Sequence, residues 1–243
     1  KFVRAVEAQM DFVPTMDQLS AIEMFAKYMA DAQPNNLMLL KGYAGTGKTT
    51  LISVFVKVLA QMNIHTVLLA PTGRAAKVLS NYTQKTAYTI HKEIYRIKPT
   101  SLGNRLILKN NNYINTIFFV DEASMIYDSS SAERKSVFDR RSLLEDLFAY
   151  VNSGKKCSLV FVGDSAQLPP VGSLFSPALD KEYLANHYSK FVYEIEMKEV
   201  RRQLTDSGVL FHATALRQRI ACQDFSLYAF KPTFDDFVHL DMQ

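Results

Sequence analysis

Apolar and polar positions along the chain follow two periods, one helical and one typical of buried strands. Apolar residues recur every three or four positions in segments that predict amphipathic helices. These segments are 15–31, 51–62, 74–80, 142–151 and 207–220, with a further helical turn or two over 90–97. Between them, apolar runs predict strands at 36–40, 66–69, 114–120 and 159–162, and an alternating run predicts one at 191–197. This order predicts an α/β fold with a parallel sheet covered by helices on both faces.

Two stretches depart from this order. Residues 98–113 are polar, rich in asparagine and interrupted by Pro99 and Gly103, and we interpret them as a short insert, either a hairpin carrying the sequence RLIL or a mobile loop. Residues 129–141 are polar and charged, which predicts an excursion on the surface. The apolar runs are strand-sized and far shorter than the ~20 residues of a membrane helix, so we expect no membrane partner.

The charge of the chain is distributed unevenly. Among 243 residues with a net charge of +4, residues 41–109 hold eleven basic residues and one acidic residue, a net +10, which leaves −6 for the remainder. This asymmetry favours a polyanionic partner, although some of the lysines simply solvate helix faces. Cys157 and Cys222 form no CxxC pair, which is consistent with a reducing compartment, and we expect a cytoplasmic protein.

A glycine-rich motif lies between the first predicted strand and the helix that follows it. Its pattern, G-x4-G-K-[ST], is typical of a loop whose backbone N–H groups wrap nucleotide phosphates at a helix N-terminus. Within it, Lys48 is predicted to reach the β- and γ-phosphates and the Thr49 hydroxyl to bind Mg²⁺. The predicted nucleotide-binding residues here are Gly42, Tyr43, Ala44, Gly45, Thr46, Gly47, Lys48, Thr49 and Thr50.

Carboxylates and amides follow two later strands. Asp121 and Glu122 directly follow the apolar run at 114–120. Asp121 would hold the magnesium shell, and Glu122 would orient or deprotonate the attacking water. The simpler alternative is that the pair caps the next helix. After the strand at 159–162 comes the sequence GDSAQLPP, in which Gln167 is predicted to contact the γ-phosphate. The alternative is that this segment is only a tight loop in which Asp164 caps a turn. The carboxyl edge of a doubly wound sheet is where ligands bind.

Six motifs taken together resemble a known family. GYAGTGKTT, APTGRAAKVL, TIH, DEAS, GDSAQLPPVG and EVRRQ occur in the order found in the first motor domain of RecD-like superfamily 1 DNA helicases, over residues 15–217. The resemblance implies a RecA-like P-loop NTPase domain that hydrolyses ATP with Mg²⁺ and moves along single-stranded DNA, 5′ to 3′. It also implies a context in DNA repair and recombination, in which other protein subunits are possible.

The resemblance assigns roles to further residues. It implies that Gln18 reads the adenine, although Thr15 and Gln18 also fit a capping box. Arg202 of EVRRQ would reach the γ-phosphate, with Arg201 as the alternative. The single-stranded DNA would contact the residues of two loops, and His91 among them could equally be structural. These residues are Pro71, Thr72, Gly73, Arg74, Lys77, Thr89 and His91.

The same resemblance defines the expected domain organisation. Residues 1–243 would form the first RecA-like motor domain, with an N-terminal helical segment at 1–35 and the insert at 98–113 in the place of a small accessory domain. After residue 220 no motif of a second motor domain is found, so we expect that domain to belong to a longer protein. A degenerate or single-domain ATPase is the alternative.

Three hypotheses for the function differ in what they predict for DNA. The first is a DNA-dependent ATPase and helicase motor. The second is a fragment that binds nucleotide and DNA but hydrolyses little ATP because the second domain is missing. The third is a small-molecule kinase with the same phosphate loop, which would transfer a phosphoryl group to a metabolite and would not respond to DNA.

Overall fold

A computed structural model describes residues 1–31, 33, 35–100, 103–128, 142–167, 169–170, 173, 175–199, 207–230, 234 and 236. The helices in these residues are α1 (Phe2–Gln9), α2 (Met16–Ala30), α3 (Lys48–Gln61), α4 (Gly73–Thr83), α5 (Ile90–Ile94), α6 (Leu143–Ser153), α7 (Lys181–Tyr188) and α8 (Gly208–Ala221). The strands are β1 (Asn36–Gly42), β2 (His65–Ala70), β3 (Ala87–Thr89), β4 (Tyr95–Thr100), β5 (Gly103–Leu108), β6 (Ile114–Val120), β7 (Lys155–Gly163) and β8 (Phe191–Met197).

Six of these strands form one sheet, in the order β3-β2-β6-β7-β1-β8. Every neighbouring pair is parallel, so the carboxyl ends of all six strands meet at one edge. β1 lies between β7 and β8, with Lys41 opposite Gly163 on one side and Glu196 on the other. β6 lies between β2 and β7. The loops that follow β1, β2, β6 and β7 therefore emerge side by side.

The sheet has an apolar cluster on each face because its central strands are apolar at consecutive positions. In β1, Met38 and Leu40 pack into the cluster that α1, α2, α3 and α4 cover, whereas Leu37 and Leu39 pack into the cluster under α5, α6 and α7. A strand whose side chains all face helices must be apolar throughout, which explains the absence of alternation in NLMLL. The predicted parallel sheet with helices on both faces is confirmed.

The aromatic side chain of Phe25 anchors α2 to this sheet. Its ring stacks on Phe55 of α3 at a centroid distance of 4.4 Å and on Phe119 of β6 at 5.8 Å. The Tyr28 hydroxyl, one turn further along, donates a hydrogen bond to the Leu159 carbonyl of β7 at 2.9 Å. These buried contacts fix the helix whose first turn faces the phosphate loop.

Most predicted elements are confirmed, and one is wrong in part. The segment 90–97 is helical only over Ile90–Ile94, because from Tyr95 the chain pairs with β5 as an antiparallel strand. β4 and β5 form a hairpin, and RLIL lies in β5, so the structure begins the hairpin three residues before the predicted insert. The helix α7 and the short edge strand β3 have no counterpart among the predicted elements, whereas α1 lies within the helical segment predicted at 1–35. The excursion predicted at 129–141 lies outside the described residues.

None of the helices in the part of the chain described above is long and apolar enough to cross a membrane.

Candidate nucleotide and nucleic-acid site

The phosphate loop leaves β1 at its carboxyl end and enters α3 at Lys48. Gly47, the residue before the helix, has φ +86°, in the left-handed region that favours glycine. The first N–H groups of α3 have no acceptor within the helix and carry its positive dipole end, which suits an anion. The Lys48 ammonium donates hydrogen bonds to the carbonyls of Gly42 and Tyr43, at 2.6 and 3.0 Å. The motif thus has the strand–loop–helix setting that phosphate binding requires.

Gln18 joins the first turn of α2 to this loop. Its side chain accepts a hydrogen bond from Thr15 N, and the Thr15 hydroxyl accepts one from Gln18 N, so the capping box is present. The Gln18 amide also donates to the Thr46 carbonyl at 3.0 Å, and the side chain is buried. Both ends of the amide are therefore engaged within the protein. The structure places Gln18 at the loop, and its contact with adenine stays a prediction.

The two carboxylates predicted for magnesium and water lie at the end of β6. Asp121 N donates to the Leu69 carbonyl of β2, and the Asp121 carboxylate accepts from Glu122 N at 3.0 Å. Burial, the largest effect, together with the neighbouring Glu122 charge, raises the pKa of Asp121 to about 6. Glu122 has φ +54°, which turns the chain sharply after the strand. The alternative of a helix cap is not supported, since the following three-residue 3-10 helix has no side-chain cap bond from Glu122.

Lys48 faces these carboxylates across the loop. Burial lowers the pKa of Lys48, and the charges of Asp164, Asp121 and Glu122 oppose that shift. The ammonium is thus partly desolvated and close enough to the three carboxylates for their charges to act on it. The structure therefore brings together Lys48, Asp121 and Glu122, as the sequence predicts.

The loop after β7 contributes the next predicted residue. The Gln167 side-chain oxygen accepts a hydrogen bond at 3.1 Å from the hydroxyl of Ser124, which lies just beyond the acidic pair. Asp164 is 1% exposed, and its carboxylate accepts from Ala166 N at 3.0 Å, which confirms that it caps a turn. Gln167 N donates to the Asp164 carbonyl in the same turn. Gln167 is thus tied to the segment that follows Glu122.

The predicted DNA-binding residues follow the two strands at the other end of the same sheet edge. Ala70 of β2 lies opposite Thr89 of β3, so Pro71 and Thr72 emerge beside Thr89. Arg74 and Lys77 are exposed on α4, and His91 is exposed on α5 with its ring 5.7 Å from that of Tyr95. The hydroxyls of Thr72 and Thr89 both cap helices, by accepting from Ala75 N and Lys92 N.

The hairpin adds a second basic surface near α5. In the β4–β5 register, Arg96 lies opposite Ile107 and Lys98 opposite Arg105, so these three cations share one face. The other face carries Ile97 opposite Leu106, which are 65% and 58% exposed. One side of the hairpin is therefore basic and the other side is apolar and open to solvent.

Two residues near the site carry no recognisable signal in the sequence. Asp17 accepts hydrogen bonds from the backbone N–H groups of Lys198 and Glu199, at 2.6 and 2.7 Å, and so holds the start of the EVRRQ segment. Arg217 of α8 reaches the phosphate loop, as described below. Neither belongs to a short motif with a mechanism of its own, and only the three-dimensional contacts reveal them. Arg201 and Arg202 themselves lie outside the described residues.

Comparison with known proteins places this geometry in a family. A family model described as an AAA domain matches residues 26–173, well over half of the chain. The chain belongs to this AAA domain family. The matched residues of the AAA domain contain the phosphate loop, the acidic pair and the GDSAQLPP loop.

Two of the relatives described here are named DNA helicases, and a third is named a subunit of the RecBCD enzyme. The ATP-dependent DNA helicase dda of Enterobacteria phage T4 is 29% identical over 184 residues, which are 73% of this chain and 37% of the phage protein. The RecBCD enzyme subunit RecD of Buchnera aphidicola is 27% identical over 230 residues, 83% of this chain and 35% of that subunit. The ATP-dependent RecD2 DNA helicase of Deinococcus radiodurans is 29% identical over 163 residues, which are 65% of this chain and 20% of that helicase. The predicted resemblance to RecD-like helicases is confirmed.

Solved structures give a looser match. The crystal structure of Bacteroides sp Pif1 in complex with ADP-AlF4 covers 89% of this chain and 48% of its own, with 19% identity and a TM-score of 0.49. This chain spans between a fifth and two fifths of the length of the three relatives named above.

Proposed function

We propose that the chain is the first motor domain of an ATP-dependent DNA helicase, which hydrolyses ATP when it binds single-stranded DNA and moves 5′ to 3′. The observation that carries this proposal is the division of one sheet edge. The loops after β1, β6 and β7 hold the acidic residues and the residues predicted to bind phosphate, and the segments after β2 and β3 hold the exposed basic residues. β6 lies directly beside β2, so the two sets of loops share a boundary.

The contact at that boundary supports coupling between ATP and DNA. Asp121 N bonds to the Leu69 carbonyl, and two residues after Leu69 the chain enters the predicted DNA loop at Pro71. A shift of the acidic pair on nucleotide binding would therefore move the end of β2. Arg74 and Lys77 would hold backbone phosphates, as cations do in sequence-independent binding of single strands.

The donor groups at the phosphate loop fit Mg²⁺. Thr49 offers a hydroxyl at the start of α3, and Asp121 offers a carboxylate whose pKa is raised mainly by burial, so a bound cation would stabilise its charged form. Hydroxyl and carboxylate oxygens are the ligands that this hard cation prefers. When bound, Mg²⁺ would neutralise charge on the β- and γ-phosphates.

The chain's own residues then divide the chemistry among them. Lys48 would exchange its two carbonyl acceptors in the loop for phosphate oxygens. Glu122 would orient the attacking water or accept its proton. Gln167 would contact the γ-phosphate, with Arg202 as a further cation. Tyr43, Ala44, Gly45, Thr46, Gly47 and Thr50 would contribute the backbone cradle.

Partners follow from the same proposal. Single-stranded DNA is the polyanion that the basic segment binds, and a second motor domain would complete the ATP site, as in a two-domain helicase. Further protein subunits are compatible with the match to a RecBCD subunit. The helicase names of the relatives favour this function over a small-molecule kinase.

ATP hydrolysis by residues 1–243, measured with and without single-stranded DNA, tests the proposal. Stimulation by DNA is expected if the chain is a motor. A nucleotide- and DNA-binding fragment with little activity would bind both ligands and show no stimulation. Transfer of phosphate to a metabolite without any response to DNA would contradict the proposal.

A further inference from the structure

Arg217 of α8 lies in the nucleotide site, although its helix follows the last recognised motif. Its guanidinium carbon is 4.6 Å from the centroid of the Tyr43 ring in the phosphate loop. Its Nη2 donates to a carboxylate oxygen of Asp164, at the carboxyl end of β7. Since Lys41 of β1 and Gly163 of β7 are register partners, the guanidinium lies where these two strands deliver the phosphate loop and the GDSAQLPP loop.

The guanidinium has donors to spare. Among the residues that the structure describes, Asp164 is its only hydrogen-bond acceptor, whereas an arginine carries five N–H donors in a fixed fork. The Arg217 side chain is 19% exposed, so solvent reaches it, while that of Asp164 is 1% exposed. A planar fork of this kind matches phosphate oxygens and can bind them in bidentate fashion.

The Arg217 guanidinium is also close enough to Lys48 for its charge to act on that ammonium. Lys48 senses the positive charge of Arg217 together with the negative charges of Asp164, Asp121 and Glu122. Two cations therefore converge on one loop, and in this structure each is bound by protein oxygens. A nucleotide polyphosphate brings several negative charges into the same space and would compete with Asp164 for the guanidinium.

We propose that Arg217 is a phosphate-binding residue of the nucleotide site. Asp164 binds the guanidinium when no nucleotide is present, and a nucleotide polyphosphate takes the place of the Asp164 carboxylate. This inference rests on the proposed ATP-binding function and adds a residue to it. After nucleotide replaces it at Arg217, the Asp164 carboxylate would still accept a hydrogen bond, because Ala166 N donates to its other oxygen. The exchange would also release one restraint on the turn that carries Gln167.

Binding of a non-hydrolysable ATP analogue to four forms of the 243-residue chain tests the proposal. In Asp164→Asn the competing charge is gone, so affinity should rise by about threefold to tenfold, since charge-assisted hydrogen bonds are about twice as strong as neutral ones. Arg217→Ala should weaken binding by about tenfold or more. The double variant, Asp164→Asn with Arg217→Ala, should bind as weakly as Arg217→Ala alone, and the loss in Arg217→Ala should be smaller for AMP, which lacks the outer phosphates.

The double variant also guards against a folding defect, because it leaves no unpaired buried charge. If Arg217 only compensates the charge of Asp164, the double variant will bind the analogue as the wild type does, and Asp164→Asn alone will not tighten binding. Either result overturns the proposal.

Lys48→Ala in the same titration separates this inference from the proposed function. Analogue binding by the wild type that Lys48→Ala removes supports the ATP site, whatever Arg217 does. No binding by the wild type would contradict the ATP site itself.

Discussion

The side-chain amide of Gln18 donates a hydrogen bond to the backbone carbonyl of Thr46, 3.0 Å away, and so joins the start of α2 to the middle of the phosphate loop. The neighbouring Asp17 carboxylate binds the backbone of Lys198 and Glu199 at the start of the EVRRQ segment. One helical turn therefore contacts both the phosphate loop and the start of the EVRRQ segment, which lie 152 residues apart in the chain between Thr46 and Lys198.

Replacing Gln18 tests this brace. Gln18→Ala removes the bond to Thr46 and one arm of the capping box, so we expect stability to fall by about 1–2 kcal/mol. Affinity for ATP and GTP should both fall, because the loop is held less firmly. Thermal unfolding and nucleotide titration measure the two effects. If Gln18 also contacts adenine, the variant should lose more affinity for ATP than for GTP. Wild-type stability and affinity in the variant would contradict the brace.

Gly47 cannot accept a side chain in this arrangement. A Cβ at Gly47 would lie 2.5 Å from the Gln18 Nε2, and the φ of +86° strains any residue other than glycine. Gly47→Ala should therefore weaken ATP binding by about tenfold or more, since a left-handed residue costs about 1–2 kcal/mol before any collision. Adding Gln18→Ala relieves the collision but not the backbone strain, so it should restore part of the affinity at most. Wild-type affinity in Gly47→Ala would show that the loop does not hold this conformation.

The exposed cations of α4 are expected to carry part of the DNA affinity. Replacing Arg74 and Lys77 together by alanine should weaken single-stranded DNA binding and lower the slope of log affinity against log salt by about 1.4, at about 0.7 per phosphate contact. Fluorescence anisotropy over a salt series measures this slope. Lys181→Ala is the matched control, because Lys181 is exposed on α7, which packs near β8 at the far edge of the sheet. An unchanged slope in the double variant would place the DNA elsewhere.

The apolar face of the hairpin is expected to act on duplex DNA. Ile97 and Leu106 are register partners and mostly exposed, which suits a wedge against base pairs. Ile97→Ser with Leu106→Ser should reduce strand separation severalfold and leave ATP hydrolysis on single-stranded DNA unchanged. Ile114→Ser, at an equally exposed position of β6, is the control. Equal unwinding by the variant and the wild type would mean that the hairpin does not separate strands.

The sequence predicted those parts of the structure that depend on local pattern. Apolar runs fixed the four central strands, because both faces of a parallel sheet are buried and each strand must be apolar. The phosphate loop and the acidic pair were predicted because their residue types and spacing carry the mechanism themselves. Tyr95–Ile97 was assigned to a helix because a short apolar period cannot reveal that β5 pairs with it.

The contacts that tie the site together could not be predicted in this way. The sequence predicts an adenine contact and a capping box for Gln18, but its bond to Thr46 depends on how α2 packs over the loop. Arg217 lies 53 residues after Asp164, and no local pattern marks two such residues as partners. Pairings of this kind follow from the sheet order and from helix packing, which only the structure provides.

The central claim is that this domain converts ATP hydrolysis into action on DNA, and Lys48 tests it most directly. ATP turnover should be measured in the full-length protein with and without single-stranded DNA, for the wild type, Lys48→Ala and Lys57→Ala, an exposed lysine of the same helix. The account predicts that DNA stimulates the wild type and Lys57→Ala, and that Lys48→Ala loses at least about a hundredfold in turnover. DNA-stimulated turnover retained in Lys48→Ala would contradict it.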